Sequence, residues 1–200
     1  MLCGATLTVL LPPSEGVLFE RALVEDFDSI ATSLAKVDVR RSEAFKVEDQ
    51  RMILGAVEQG VGFTKLNQVV GGQLREWLTA QAQAALARLP AEERGTSALI
   101  NQLGRLLKAQ GQLDEARPLL EEALRVRREV LGDRHPDTLG SISNLGSLLK
   151  AQGKLDKARP LYEEALQACR EVLGDRHPNT LTSINNMGVL LQATFVGRVG

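Results

Sequence analysis

Residues 100–138 read "INQLGRLLKAQGQLDEARPLLEEALRVRREVLGDRHPDT", and residues 142–180 read "ISNLGSLLKAQGKLDKARPLYEEALQACREVLGDRHPNT". The two lines superpose without a gap at a shift of 42 residues, and "INNMGVLL" from Ile184 begins a third copy at the same shift. Self-similarity at such a period marks stacked supersecondary units, each unable to bury its apolar face alone. Within a unit the apolar spacing is helical. Ile100, Leu103, Gly104 and Leu107 follow an i, i+3, i+4, i+7 pattern, repeated by Ile142, Leu145, Gly146 and Leu149 and by Ile184, Met187, Gly188 and Leu191. A second helix carries Leu113, Ala116, Leu120, Ala123, Leu124 and Val130, and its copy carries Leu155, Ala158, Tyr162, Ala165, Leu166 and Val172.

The segments between these helices supply the punctuation. Gly111 and Gly153 suit the positive φ of a helix C-terminus. Asp114 and Glu115 then place negative charge where the dipole of the next helix favours it. Pro118 and Pro160 fall within or beside that helix's first turn, where few intrahelical bonds are lost. Gly104 and Gly146 in mid-helix cost about 1 kcal/mol each against alanine, so their recurrence predicts close approach of a neighbouring helix.

The phrase "LGDRHP" holds both histidines of the chain, His135 and His177. A metal or acid–base site would need a third ligand recurring beside Asp133 and His135, and none does. The phrase reads instead as a loop between repeats: Gly132 ends one helix, and Pro136 fits the first turn of the next.

Helix pairs of the form L-G-x-L-L…G-x-L-D-E-A-x-P-L…E-E-A-L…R-E-V-L-G-x-x-H-P-x-T resemble tetratricopeptide repeats, and the 42-residue spacing with its "LGDRHP" loop resembles the kinesin-light-chain type. The resemblance covers residues from about 96 to 192. It implies an α-solenoid whose first helices line a concave groove for peptides or partner proteins, and it implies no enzymatic activity. The expected units are 96–138, 139–180 and a partial one at 181–200. Solenoids usually need about three units to bury a continuous core. The incomplete last unit, in which Phe195 stands where Gly111 and Gly153 stood, is therefore expected to leave apolar surface for self-association.

If the groove is of that type, the first-helix residues that avoid the core stripe line it: Asn101, Arg105 and Lys108, then Ser143, Ser147 and Lys150, then Asn185. Asparagine can both donate to and accept from an extended peptide backbone. Arg105, Lys108 and Lys150 would favour acidic side chains and speed encounter. The competing readings are hydrogen bonds between repeats for Asn101 and Asn185, and plain solvation for the basic residues.

Residues 1–95 do not repeat and are expected to be mostly helical, with a linker at 90–95. "ATLTVLL" reads as a short strand before Pro12-Pro13. Ser14 is expected to cap one helix through "EGVLFERALVEDFDSIATSLAK". "KVDVRRSEAF" reads as extended or loop, and "VEDQRMILGAVEQ" as a helix broken by Gly60 and Gly62. A further helix from Thr64 is expected to be interrupted at Gly71-Gly72, with Trp77 as a packing residue. Thr96 or Ser97 then caps the first repeat helix. One strand cannot make a sheet, so residues 1–95 are expected to include the tail of a truncated α/β domain. The stretch from Pro13 to Leu78 resembles a segment that follows a TIR-like domain in repeat-array proteins of algae.

The fold class expected is therefore mainly α: an α-solenoid of tetratricopeptide helix pairs, preceded by a helical segment with one short N-terminal strand. Charged residues are 24 % and the formal net charge is −1, which excludes a general nucleic-acid binder or polybasic membrane anchor. Aromatic residues are 4 %, low for a base-stacking surface. No apolar run approaches the ~20 residues of a membrane span. Cys3 and Cys169 form no disulfide framework, which points to a reducing, cytoplasmic setting. No phosphate loop, nucleophile elbow or metal-ligand spacing occurs. The pairs Glu92-Glu93, Glu121-Glu122 and Glu163-Glu164 read as solvated helix charge, and the run Arg125, Arg127, Arg128 as a basic patch in one repeat only, since the second has Gln167, Cys169 and Arg170 there. The sequence thus predicts an interaction module for a protein or peptide partner, acidic in character, without catalytic residue, metal or cofactor. The alternatives are a sensor portion of a larger signalling protein whose effector domain lies elsewhere, and an enzyme housed in residues 1–90.

Overall fold

The computed structural model describes residues 13–41 and 47–199. The chain divides into two compact units, Met1–Ala85 and Leu86–Gly200. The strand expected at 5–11 lies outside the described residues, and among those described no strand occurs.

The first unit holds α1 (Pro13–Glu25), α2 (Phe27–Ala35), a 3-10 turn at Val39–Arg41, α3 (Val47–Gln59) and most of α4 (Phe63–Arg88). Pro13 opens α1 because the first helical position has no use for an N–H. The helix therefore begins before Ser14, the expected cap. The single helix expected next is two, parted at Asp26 with φ −146° and ψ 48°. Asp26 N–H closes α1 on the Ala22 carbonyl at 2.8 Å, and its own carbonyl accepts from Ile30 N–H at 3.3 Å to open α2. The break keeps Leu23 and Phe27 both buried.

Gly62, with φ 75°, turns the chain between α3 and α4. Contrary to expectation, α4 runs unbroken through Gly71-Gly72. In a helix of 26 residues, propagation on both sides outweighs the ~1 kcal/mol cost of each glycine. Asn67 of α4 holds the segment after α2: its Oδ1 accepts from Val39 N–H at 2.8 Å, and its Nδ2 donates to Asp38 at 2.7 Å. That side-chain clamp fixes a 3-10 turn within the segment expected to be extended or loop. Trp77 packs against Phe19 of α1, ring centroids 5.2 Å apart.

The second unit is the solenoid. The expected linker carries one short turn, α5 (Ala91–Arg94), followed by α6 (Ala98–Ala109), α7 (Leu113–Leu131), α8 (Pro136–Ala151), α9 (Leu155–Leu173) and α10 (Pro178–Val199). Each of these long helices packs on the next, and α6, α8 and α10 also touch in series. Ser97 caps α6, its Oγ accepting from Leu99 N–H at 3.2 Å. Gly111, Gly132, Gly153 and Gly174 all have positive φ, between 73° and 87°, as a chain reversal after each helix requires. Pro118 and Pro160 fall at the sixth residue of α7 and α9, just past the first turn.

The core is the stripe read from the repeat. Ile100, Leu103, Leu107, Ala116, Leu120 and Ala123 are fully buried, as are Ile142, Ala158 and Ala165. A Cβ built on Gly104 would lie 2.5 Å from the Leu120 side chain, and one on Gly146 would lie 2.8 Å from the Tyr162 ring. The glycines are thus the holes into which the second helix of each pair inserts a large side chain, Leu120 in the first and Tyr162 in the second. Val130 and Val172, expected in the stripe, are exposed. The second helix has 19 residues and α6 only 12, about 28 Å against about 18 Å, so its last turn overhangs its partner.

Candidate functional site

The register of α6 against α8 builds the site. Asn101 on α6 is buried, and its Nδ2 donates to Ser141 Oγ at 3.0 Å while its Oδ1 accepts from Asn144 Nδ2 at 3.2 Å. Both halves of its amide are therefore spent between repeats. Behind it, Ser141 Oγ also accepts from Arg127 Nη1 at 3.2 Å. Arg127 is itself buried, with Nη2 donating to the Thr96 and Ser97 carbonyls at 3.0 and 3.1 Å and Nη1 to the Asp137 carbonyl at 3.1 Å. Burial lowers the pKa of this guanidinium, and the nearby Asp137 only partly offsets it. Within the basic patch read from one repeat, this residue is a rivet joining the N-termini of α6 and α8.

About two turns along, Lys108 Nζ donates to Ser147 Oγ at 2.7 Å across the same pair of helices. Lys108 is half-buried, and its pKa is lowered first by burial and then by the like charges of Lys150 and Arg105. Three of the expected basic residues thus form one positively charged cluster. Tyr162 Oη lies close to Ser147 without completing a hydrogen bond, and burial raises its pKa.

A cavity of about 340 Å³ adjoins the cluster, lined by Arg105, Ser143 and Asn144, by Asn179, Thr182 and Ser183 of α10, and by Cys169. Arg105 belongs to both the cation cluster and the cavity. Asn185 is exposed on α10 and lines neither. Asn144, Asn179, Thr182 and Ser183 were not singled out from the sequence. Asn144 stands one residue after Ser143, and the amide at that place in the third copy, Asn186, is the signal that could have flagged it.

The "LGDRHP" loops have a structural answer. His135 Nδ1 accepts from Asp137 N–H at 3.2 Å and His177 Nδ1 from Asn179 N–H at 3.1 Å, so each imidazole caps the helix that follows. Asp133 and Asp175 pair with Arg128 and Arg170 of the preceding helices at 3.2 and 3.3 Å. Among the described residues no group of three or more His, Cys, Asp or Glu side chains could hold a metal ion, and no helix is long and apolar enough to cross a membrane.

Two tetratricopeptide repeat family models match the chain, one over residues 96–137 and the other over 138–195, together half of its length. The chain belongs to the tetratricopeptide repeat family, whose members are scaffolds for protein–protein interaction. Solved structures similar to the chain include repeats described as those of a kinesin light chain. The kinesin-light-chain-like, nearly identical TPR-like repeats of Podosopora anserina superpose with a TM-score of 0.53 at 20 % identity, covering 90 % of this chain and 85 % of that one. A point variant of that protein gives 0.54 with the same identity and coverage. BtubC (BKLC) from P. vanneervenii matches at TM-score 0.49 and 18 % identity, and the 90 % of this chain that aligns spans 66 % of that protein. No curated protein matches the sequence significantly.

Proposed function

We propose that the face formed by α6, α8 and α10 binds an extended, acidic segment of a partner protein, without catalysis. The observation that carries this reading is the cluster of Arg105, Lys108 and Lys150, where burial and mutual repulsion already depress the Lys108 pKa. Like charges held together in a half-buried place are stabilised by an incoming carboxylate. The adjoining cavity supplies Ser143, Asn144, Asn179 and Thr182, which can donate to and accept from a peptide backbone. Asn101 acts in this scheme by fixing Asn144: with its Oδ1 accepting, Asn144 must donate inward and turn its own Oδ1 outward. Ser147 likewise orients the Lys108 ammonium. Asn185, further along α10, would contact only a longer ligand.

The test is a diverse array of extended peptides probed with the purified chain and with the double variant Lys108→Glu/Lys150→Glu. Selection of acidic peptides by the parent, with a loss of roughly tenfold or more in the variant, supports the reading. Equal binding by both proteins, or preference for basic peptides, removes it.

A further inference from the structure

Arg105 and Ser147 stand 42 residues apart, as do Lys108 and Lys150, so the four occupy two slots of the repeat on neighbouring helices. Arg105 and Lys108 are one turn apart on α6, and Ser147 and Lys150 one turn apart on α8. They mark the corners of a patch, and the bond from Lys108 Nζ to Ser147 Oγ crosses its diagonal. In the third copy the same slots hold Val189 and Gln192, without a cation. Little on this face offsets the charge. The α6 and α10 sequences have no Asp or Glu, and α8 has only Asp137, in its first turn. The charges that act on Lys108 are those of Lys150 and Arg105, both of its own sign.

Positive charge is thus gathered at one point of the face rather than spread along it. A run of carboxylates would meet cations at one place only. A single group with a double charge matches the patch better. A phosphate monoester carries about −1.5 to −2 at neutral pH and three acceptor oxygens, and an arginine fork with two ammonium groups suits all three.

A second observation lies beside the patch. Tyr162, which fills the space at Gly146, is 1 % exposed, and its Oη has no hydrogen-bond partner. Buried hydroxyls are normally paired. Leu120, at the same slot of the first pair, has no hydroxyl to leave orphaned. Ser147 is the group nearby. A serine oxygen accepts two hydrogen bonds and donates one. Lys108 takes one acceptor position. When Tyr162 donates to the other, the Ser147 hydrogen is left for a ligand. An anion on the patch gives that hydrogen an acceptor and so completes the bond that Tyr162 lacks.

Resting on the reading that this face takes an anionic segment, we propose that the patch is a site for a phosphorylated serine or threonine of the partner protein. Arg105, Lys108 and Lys150 supply the charge, Ser147 is a fourth donor, and Tyr162 is a positioning residue that acts through Ser147. The probe is a set of short, labelled, extended peptides with uncharged flanks and serine, glutamate or phosphoserine at one central position. The full chain should bind the phosphoserine members roughly tenfold or more tightly than the glutamate members, and the serine members most weakly. Lys150→Met should lose most of that preference. Ser147→Ala and Tyr162→Phe keep all three cations, and should also lose most of it while glutamate binding changes little. Tyr162→Phe removes only an unpaired buried hydroxyl, so its thermal midpoint should hold or rise.

Phosphoserine bound no more tightly than glutamate, with both tighter than serine, overturns the phosphate site and leaves the acidic reading standing. Phosphoserine and glutamate both bound only as serine is overturns the two together. A phosphoserine preference that survives Ser147→Ala and Tyr162→Phe comes from charge alone, and overturns the built site.

Discussion

The first helix pair, α6 with α7, and the second, α8 with α9, follow one plan and differ at a few places that matter. At the hole in the first helix, Leu120 fills the space over Gly104, where Tyr162 fills that over Gly146. At the far end of the second helix, Arg127 of the first pair becomes Cys169 in the second. The serines they meet are equivalent as well: Ser141 Oγ accepts from Arg127 at 3.2 Å, and Ser183 Oγ lies 3.7 Å from Cys169 Sγ. Both serines also donate to the carbonyl four residues back, at 3.1 and 3.0 Å. A repeat therefore fixes the backbone and the holes, while the same slot takes a charged clamp in one unit and a small thiol in the next. The difference lies in what each slot must hold. Arg127 ties together carbonyls at the N-termini of two helices, whereas Cys169 packs beside the cavity under α10.

Breaking the clamp should have the largest effect. Arg127→Ala removes three hydrogen bonds to backbone carbonyls and one to Ser141 from a buried place, and is expected to cost about 3 kcal/mol. Cys169→Ala, at the matching slot, should cost about 1 kcal/mol, the loss of one small buried group. Urea titrations of the two variants test the asymmetry, and equal losses would mean that the guanidinium is replaceable by solvent. The glycines come next. Gly104→Ala drives a methyl into Leu120 and should cost about 2 kcal/mol, whereas Gly188→Ala has open space and should gain up to about 1 kcal/mol from helix propensity. The midpoints of thermal unfolding should therefore move in opposite directions.

Which parts of this comparison were legible beforehand follows from what a repeat records. Two copies show which positions recur, and recurrence with helical spacing is enough to place the helix pairs, the reversing glycines and the holes at Gly104 and Gly146. It does not show what a non-recurring residue touches. Arg127 stands between Arg125 and Arg128 and reads as one member of a basic patch, yet Arg125 pairs with Glu129 on the surface while Arg127 points inward. Nor does recurrence reveal a rotamer: both histidines were visible as loop residues, but the capping role of Nδ1 depends on how the ring is turned. Asn101 was chosen by spacing as a groove residue, and its amide is committed to Ser141 and Asn144 because α8 comes close enough to take it. The first unit has no second copy to check against. There the split at Asp26 and the unbroken passage of α4 through Gly71-Gly72 depend on packing, which single-residue preferences do not report.

The finest difference between the pairs lies at Lys108 and Lys150, identical residues in the same slot of the repeat. Burial and the charges of Lys150 and Arg105 lower the Lys108 pKa, so the unfolded chain binds more protons than the folded one between the lowered value and the ordinary lysine value. Stability should therefore rise with pH across that window, and Lys108→Met should flatten the rise. Binding of an acidic peptide opposes it, because a carboxylate beside Lys108 raises the pKa again. In the same window the complex holds more protons than the free chain, so binding takes up a fraction of a proton and weakens as pH increases. Calorimetry in two buffers of different ionisation enthalpy reads that uptake directly. Uptake in the parent, its loss in Lys108→Met and its retention in Arg127→Ala would separate the groove from the scaffold that holds it. No uptake in the parent, despite measurable binding, would place the acidic segment away from Lys108.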